Sequence, residues 1–147
     1  MPISDRRGRA RQKVRAVLAL ALSAAGVLVA TTPAAAAAPA NCYLGTSCLY
    51  SGYNYTTDPG QNPERLYFSY CIDRLSHYSY DNIASSFYNN GRYEGAFLYE
   101  HPVVAGRYTY VSRGTGLTNL GTRNFNDIAS SAYFTSTRED AGTALCA

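Results

Sequence analysis

The 147-residue chain has no Trp, one Met, and one Lys, at position 13. Beyond Ala16 no Lys remains, which excludes a lysine nucleophile or Schiff base from most of the chain. There are two histidines, His77 and His101, and neither lies in a nucleophile motif or at ligand spacing from a cysteine. Cys-x-x-Cys is absent, so a structural zinc site is not expected. No stretch after residue 41 has the length or periodicity of a long helix. With no nucleophile–base pair and no zinc constellation, the chain is expected to be a non-enzyme.

The basic residues present are unevenly placed. Arg6, Arg7, Arg9, Arg11, Lys13 and Arg15 precede an apolar run from Val17 to Ala30 and a small-residue tract from Thr31 to Ala40. This is the layout of a secretory signal peptide over residues 1–40, with cleavage after Ala38 or Ala40. The apolar run is shorter than the ~20 residues a span requires. A secreted, extracellular product with no membrane segment in its mature form is therefore expected. Residues 41–147 then carry seven Arg against nine Asp and Glu, a formal −2. The precursor's +3 belongs to the leader and gives no argument for nucleic-acid binding.

All fourteen Tyr and all four Cys fall in residues 41–147, a size suited to one domain with one core, expected as a monomer. Cys42, Cys48, Cys71 and Cys146 are an even set in an exported chain, which predicts two disulfides. Three connectivities are open, with Cys42–Cys48 and Cys71–Cys146 preferred. Runs rich in Tyr, Phe, Val and Thr alternate with Gly, Pro, Asn and Ser clusters, predicting strands at 47–50, 65–72, 84–88, 96–100, 107–112 and 130–135. The expected class is all-β, a sandwich of two Greek-key motifs.

An internal repeat supports that architecture. Tyr80-Asp81-Asn82-Ile83-Ala84-Ser85-Ser86 recurs as Phe125-Asn126-Asp127-Ile128-Ala129-Ser130-Ser131, and Cys48-Leu49-Tyr50-Ser51 is echoed by Phe97-Leu98-Tyr99-Glu100. Residues 89–95 read as the link between halves. Each repeated loop gathers several oxygen donors, which suits a hard cation such as Ca²⁺. Asx and Ser side chains also cap turns without any metal.

Both loops match the βγ-crystallin calcium pattern Asx-Asx-x-x-Ser/Thr-Ser. More narrowly, Cys42…Cys48-Leu49-Tyr50, Cys71, the two Asx-Asx-x-Ala-Ser-Ser runs and Tyr99-Glu100 resemble the secreted branch related to the Streptomyces metalloproteinase inhibitor family, over Cys42 to about Thr135. The resemblance implies a βγ-crystallin-like fold with two low-affinity calcium half-sites and no organic cofactor. One would use Asp81, the Ile83 carbonyl and Ser85 joined by Glu100. The other would use Asn126, the Ile128 carbonyl and Ser130 joined by a group near Ser51. It also implies a peptidase inhibitor whose partner is an extracellular, thermolysin-like protease. Pro102, Val103, Val104, Ala105 and Gly106 are the candidate inhibitory loop, with an ordinary hairpin turn as the competing reading. A calcium-binding structural, carbohydrate-binding or antimicrobial module is the alternative.

Overall fold

The computed structural model describes residues 37–61 and 63–146. The expected signal peptide lies, up to residue 36, outside the described residues. Among the described residues no helix is long and apolar enough to cross a membrane.

Among the described residues, eight strands form two antiparallel sheets. In chain order they are β1 Ser47–Tyr50, β2 Arg65–Phe68, β3 Cys71–Ile72, β4 Ser86–Asn89, β5 Ala96–His101, β6 Ala105–Val111, β7 Thr115–Leu117 and β8 Ser131–Phe134. One sheet runs β2-β1-β4-β7 and the other β3-β8-β5-β6. Each Greek key thus lends its third strand, β3 or β7, to the sheet of the other half. Five of the six expected strands are present within two residues at each end, and the expected 65–72 strand breaks into β2 and β3. The break is the crossover, because β3 pairs with β8 rather than continuing beside β1. β7 was not among the expected strands, because Gly114-Thr115-Gly116 has the composition of a turn. It pairs with β4 through Phe87↔Leu117 and Tyr88↔Gly116, and a Cβ at Gly116 would stand 2.8 Å from the Phe87 carbonyl oxygen.

Alternation in the strands builds the core. Leu49, Phe87, Ala96, Leu98, Val111, Ala132 and Phe134 point between the sheets. Two short 3-10 turns, Leu75–Tyr78 and Leu120–Arg123, drop Leu75 and Leu120 into the same core, each fully buried. Each turn ends in a left-handed residue, Ser79 or Asn124, and returns a backbone hydrogen bond from Tyr80 or Phe125 to the buried leucine's carbonyl. Fully burying side chains of this size stabilises by about 1.5–3 kcal/mol apiece.

The outer faces carry tyrosines, and each is covered by a segment fastened with a disulfide. The N-terminal segment is tied by Cys42–Cys48 and packs with Tyr50, Tyr55 and Tyr88. The C-terminal segment is tied by Cys71–Cys146 and packs with Phe97, Tyr99 and Tyr133, while the Arg138 guanidinium lies 4.6 Å above the Phe97 ring. Both bridges follow the preferred connectivity. The link between halves is less of a spacer than expected. Asn89 is fully buried in β4, accepts from Ser47 Oγ and the Gly91 N–H, and donates to the Glu94 and Val111 carbonyls.

Candidate functional site

The two repeated loops meet face to face. The Asn82 N–H donates to the Ala129 carbonyl and the Asp127 N–H to the Ala84 carbonyl, both at 3.0 Å. Asn82 and Asp127 each adopt positive φ, 56° and 53°, which Asn and Asp tolerate better than other side-chain-bearing residues. The serine that follows each loop is anchored to its own half. The Ser85 N–H reaches the Tyr50 carbonyl and the Ser130 N–H the Tyr99 carbonyl, both at 2.8 Å. Ser86 Oγ and Ser131 Oγ repeat the pattern, donating to the Gly52 and His101 carbonyls.

This arrangement changes the grouping drawn from the sequence. Ser85 was expected with Asp81 and Glu100, but it sits against the first hairpin of its own half, beside Tyr50 and Ser51. Its hydroxyl donates to Asp127 Oδ1 at 3.1 Å, so its carboxylate neighbour comes from the other motif. Ser130, expected near Ser51, lies instead beside Tyr99 and hence next to Glu100, with the Asn82 backbone bonded to the preceding residue. The physical reason is the ladder: β4 follows Ser85 and pairs with β1, and β8 follows Ser130 and pairs with β5. Each serine is therefore fixed in its own half, while the Asx pair reaches across.

The first junction is rich in oxygen. Ser51 is buried and its Oγ accepts from the Asp58 N–H. Asp127 is exposed along one side, yet desolvation on its inner side pushes its carboxyl above the ordinary value; the Ser85 hydrogen bond opposes this and the Asp58 charge adds to it. The Asn126 amide donates to Asp127 Oδ2 at 2.6 Å, which leaves Asn126 Oδ1 buried without a partner. Ile83 and Ile128 are half-buried against the core. At the second junction Asp81 is exposed and accepts from the Asn82 amide at 3.2 Å. Glu100 forms a two-pronged pair with Arg107 at 2.9 and 3.0 Å, whose hydrogen bonds hold its carboxyl below the ordinary value. Asp127 was passed over in the sequence; its signal was its match to Asn82, the second Asx of the repeat.

The β5–β6 hairpin tip holds the other candidate residues. Val103 and Val104 have φ of 57° and 56°, in the left-handed region, which costs a side-chain-bearing residue about 1–2 kcal/mol. The Val103 N–H donates to the Asp73 carbonyl. Val104 packs inward with Cys71, Tyr99, Tyr133 and Cys146, as the hairpin-turn reading expected. Pro102 and Val103 remain half-buried and Ala105 and Gly106 exposed. No cysteine flanks this loop in sequence, but Cys71–Cys146 braces it through Asp73, whose carbonyl takes the Val103 N–H and whose own N–H donates to the Cys146 carbonyl.

Against proteins of known structure, the chain is similar to a βγ-crystallin domain solved in connection with the evolution of the eye-lens βγ-crystallin fold. The two share 22% identity over 66% of this chain and 91% of that one, with a TM-score of 0.57. It is also similar to the βγ-crystallin from Ciona intestinalis, at 15% identity over 62% of this chain and all of that one, with a TM-score of 0.52. No family model and no curated protein sequence matches. The fold is therefore βγ-crystallin-like, two Greek keys in a disulfide-stabilised sandwich.

Proposed function

We propose that the domain is a secreted proteinaceous inhibitor of an extracellular, thermolysin-like metalloprotease, carried on the βγ-crystallin-type scaffold. The observation that supports this most is the fixed conformation of the β5–β6 tip. Two adjacent β-branched residues at positive φ persist only where the surroundings over-determine them. Here the Asp73 carbonyl, the packing of Val104 on Tyr133 and the tail bound by Cys71–Cys146 do so. A protease draws its substrate out as an extended strand, whereas this tip is held in a left-handed turn. It would act as an uncleavable wedge that loses little entropy on docking. Pro102 and Val103 supply the apolar surface, flanked by Ala105 and Gly106, while Val104 serves the scaffold.

The test uses the full chain expressed under oxidising conditions, assayed against a thermolysin-like and a subtilisin-like protease. Inhibition of the first but not the second is expected. Val103→Asp should weaken it at least a hundredfold while circular dichroism is unchanged, since a charge is poorly tolerated in an apolar pocket. No inhibition of any metalloprotease by the wild-type protein overturns the proposal.

A second reading, a calcium-stabilised structural module, is favoured by the orphaned Asn126 Oδ1 and the desolvated Asp127 carboxyl. Both fit a hard, oxygen-seeking cation. Asn126, Asp127, Ser85 and the Ser51 hairpin would hold one ion, and Asp81, Asn82, Ser130 and Glu100 the other, with the Ile83 and Ile128 carbonyls available to them. The ion would neutralise clustered oxygens and clamp one Greek key to the other. Dissociation constants of roughly 10⁻⁵–10⁻³ M are in keeping with extracellular modules.

A further inference from the structure

Among the described residues β6 is the longest strand, with seven residues, and it stands at the edge of its sheet. The other three edges are shorter: β2 has four residues, β7 three and β3 two. Edge strands are ordinarily guarded by brevity, charge, proline or a bulge. β6 has its charge, Arg107, and its neighbouring bulge at the tip end, and Tyr108–Val111 has none of these guards.

The register shows which groups of β6 are unused. The Tyr99 carbonyl accepts from the Ser130 N–H and the Gly95 carbonyl from the Thr135 N–H, so odd-numbered residues of β5 turn toward β8. Even-numbered ones turn toward β6, which makes Leu98↔Thr109 and Ala96↔Val111 the hydrogen-bonded pairs. The backbone N–H and C=O groups of Tyr108 and Tyr110 therefore point away from the sheet, along its open edge. On the inner side of the strand Thr109 faces the core with Leu98 and Val111. It is only 5% exposed, and its hydroxyl is buried without a partner. Buried hydroxyls are normally hydrogen-bonded, so this one marks an incomplete contact.

We propose that β6 pairs antiparallel with β6 of a second copy of this chain, about a two-fold axis at Thr109, joining two four-stranded sheets into one. That register sets Tyr108 opposite Tyr110 of the second copy, twice by symmetry. Both residues present outward ladder groups, so each pair exchanges main-chain hydrogen bonds. Their rings, braced on Phe97, meet as cross-strand aromatic pairs on the outer face. Thr109 falls on the axis, in a non-hydrogen-bonded pair where side chains approach most closely, and the two hydroxyls satisfy each other. Arg107 falls opposite Val111 and its charge is engaged by Glu100, so no like charges meet. An extended peptide from another protein could use the same ladder, but only a second copy supplies the matching hydroxyl by symmetry.

The experiment is sedimentation equilibrium of the full chain expressed under oxidising conditions, from micromolar to millimolar concentration, with amide hydrogen exchange along the same series. A reversible dimer is expected. Exchange at Tyr108 and Tyr110 should slow as concentration rises, while Thr109 and Val111 are protected throughout. Thr109→Val should weaken association about fivefold, the worth of one hydrogen bond. Tyr108→Pro removes an outward donor at a position where an edge tolerates proline, and should leave a monomer with unchanged circular dichroism. A monomer at every concentration, exchange at Tyr108 and Tyr110 that ignores concentration, or undiminished association of Thr109→Val overturns the proposal.

Discussion

The carbonyl of Asp73 accepts the N–H of Val103 at 3.1 Å, which ties the strained tip of the β5–β6 hairpin to the end of β3, a strand contributed by the other Greek key. The remaining polar groups of Asp73 are engaged as well. Its N–H donates to the Cys146 carbonyl, and its carboxylate accepts from the Tyr133 hydroxyl and from the Gly142 N–H. One residue thus joins hairpin, tail and β8. Asp73→Ala leaves two donors unmet and should destabilise the fold by about 2–3 kcal/mol. For a domain of this size that lowers the melting temperature by roughly 10 °C, measurable by thermal circular dichroism. A melting temperature within 2 °C of wild type would contradict the assignment.

The two disulfides should differ in worth. Cys71–Cys146 spans 75 residues and Cys42–Cys48 only 6. In the chain-entropy account these closures are worth about 4 and about 2 kcal/mol. Urea unfolding of the paired Cys→Ser variants should show the larger loss for the long bridge. Limited proteolysis should then cut first within residues 136–146, the segment that bridge holds down.

At high pH the tyrosines set the limit. Desolvation pushes Tyr50 up to about 12, and burial raises Tyr80 and Tyr133 still further, with Asp73 adding to the effect on Tyr133. In each case the folded state prefers the neutral phenol. The associated stability is complete below the ordinary value near 10 and is lost as pH rises through the folded values. Absorbance at 295 nm should therefore show a delayed phase above pH 11 that coincides with loss of the far-ultraviolet signal. A single early phase with the fold intact would count against these burials.

Asp127 reports on the cation reading with the opposite partner in play. Its raised carboxyl value means that, without a cation, its contribution favours the fold in acid and is lost as pH rises through the folded value. Asp127→Asn should leave the chelator-treated protein at pH 7 at least as stable as wild type, and should remove the gain in melting temperature produced by millimolar Ca²⁺. If Ca²⁺ raises the melting temperature of both proteins equally, or of neither, Asp127 holds no ion.

Local signals in the sequence were sufficient for much of the fold. Val/Tyr/Phe runs bounded by Gly and Asn located the strands, and the repeat of Asp81–Ser86 in Asn126–Ser131 announced two Greek keys. β7 was missed because Thr115-Gly116-Leu117 has turn composition; Gly116 is there to admit the backbone of β4, a tertiary demand with no local trace. The grouping of Ser85 with Asp127 escaped for a related reason. Which serine faces which Asx pair is decided by β4 pairing with β1 and β8 with β5, and spacing along the chain is identical under either choice. Asp73 carries no motif at all, since its importance arises only where four segments converge.

The exchange of β3 and β7 between sheets has a consequence for divisibility. A chain severed between Asn90 and Gly95 would give two pieces, each lacking the outermost strand of its own sheet and each holding the strand the other needs. Neither piece closes its own core, because Ile72 completes the sheet of the second half and Leu117 that of the first. Mixed together, the pieces have complementary edges and should reassociate into one sandwich. The molecule is in this sense an intertwined pair on a single thread, and its two motifs are constrained to change in step.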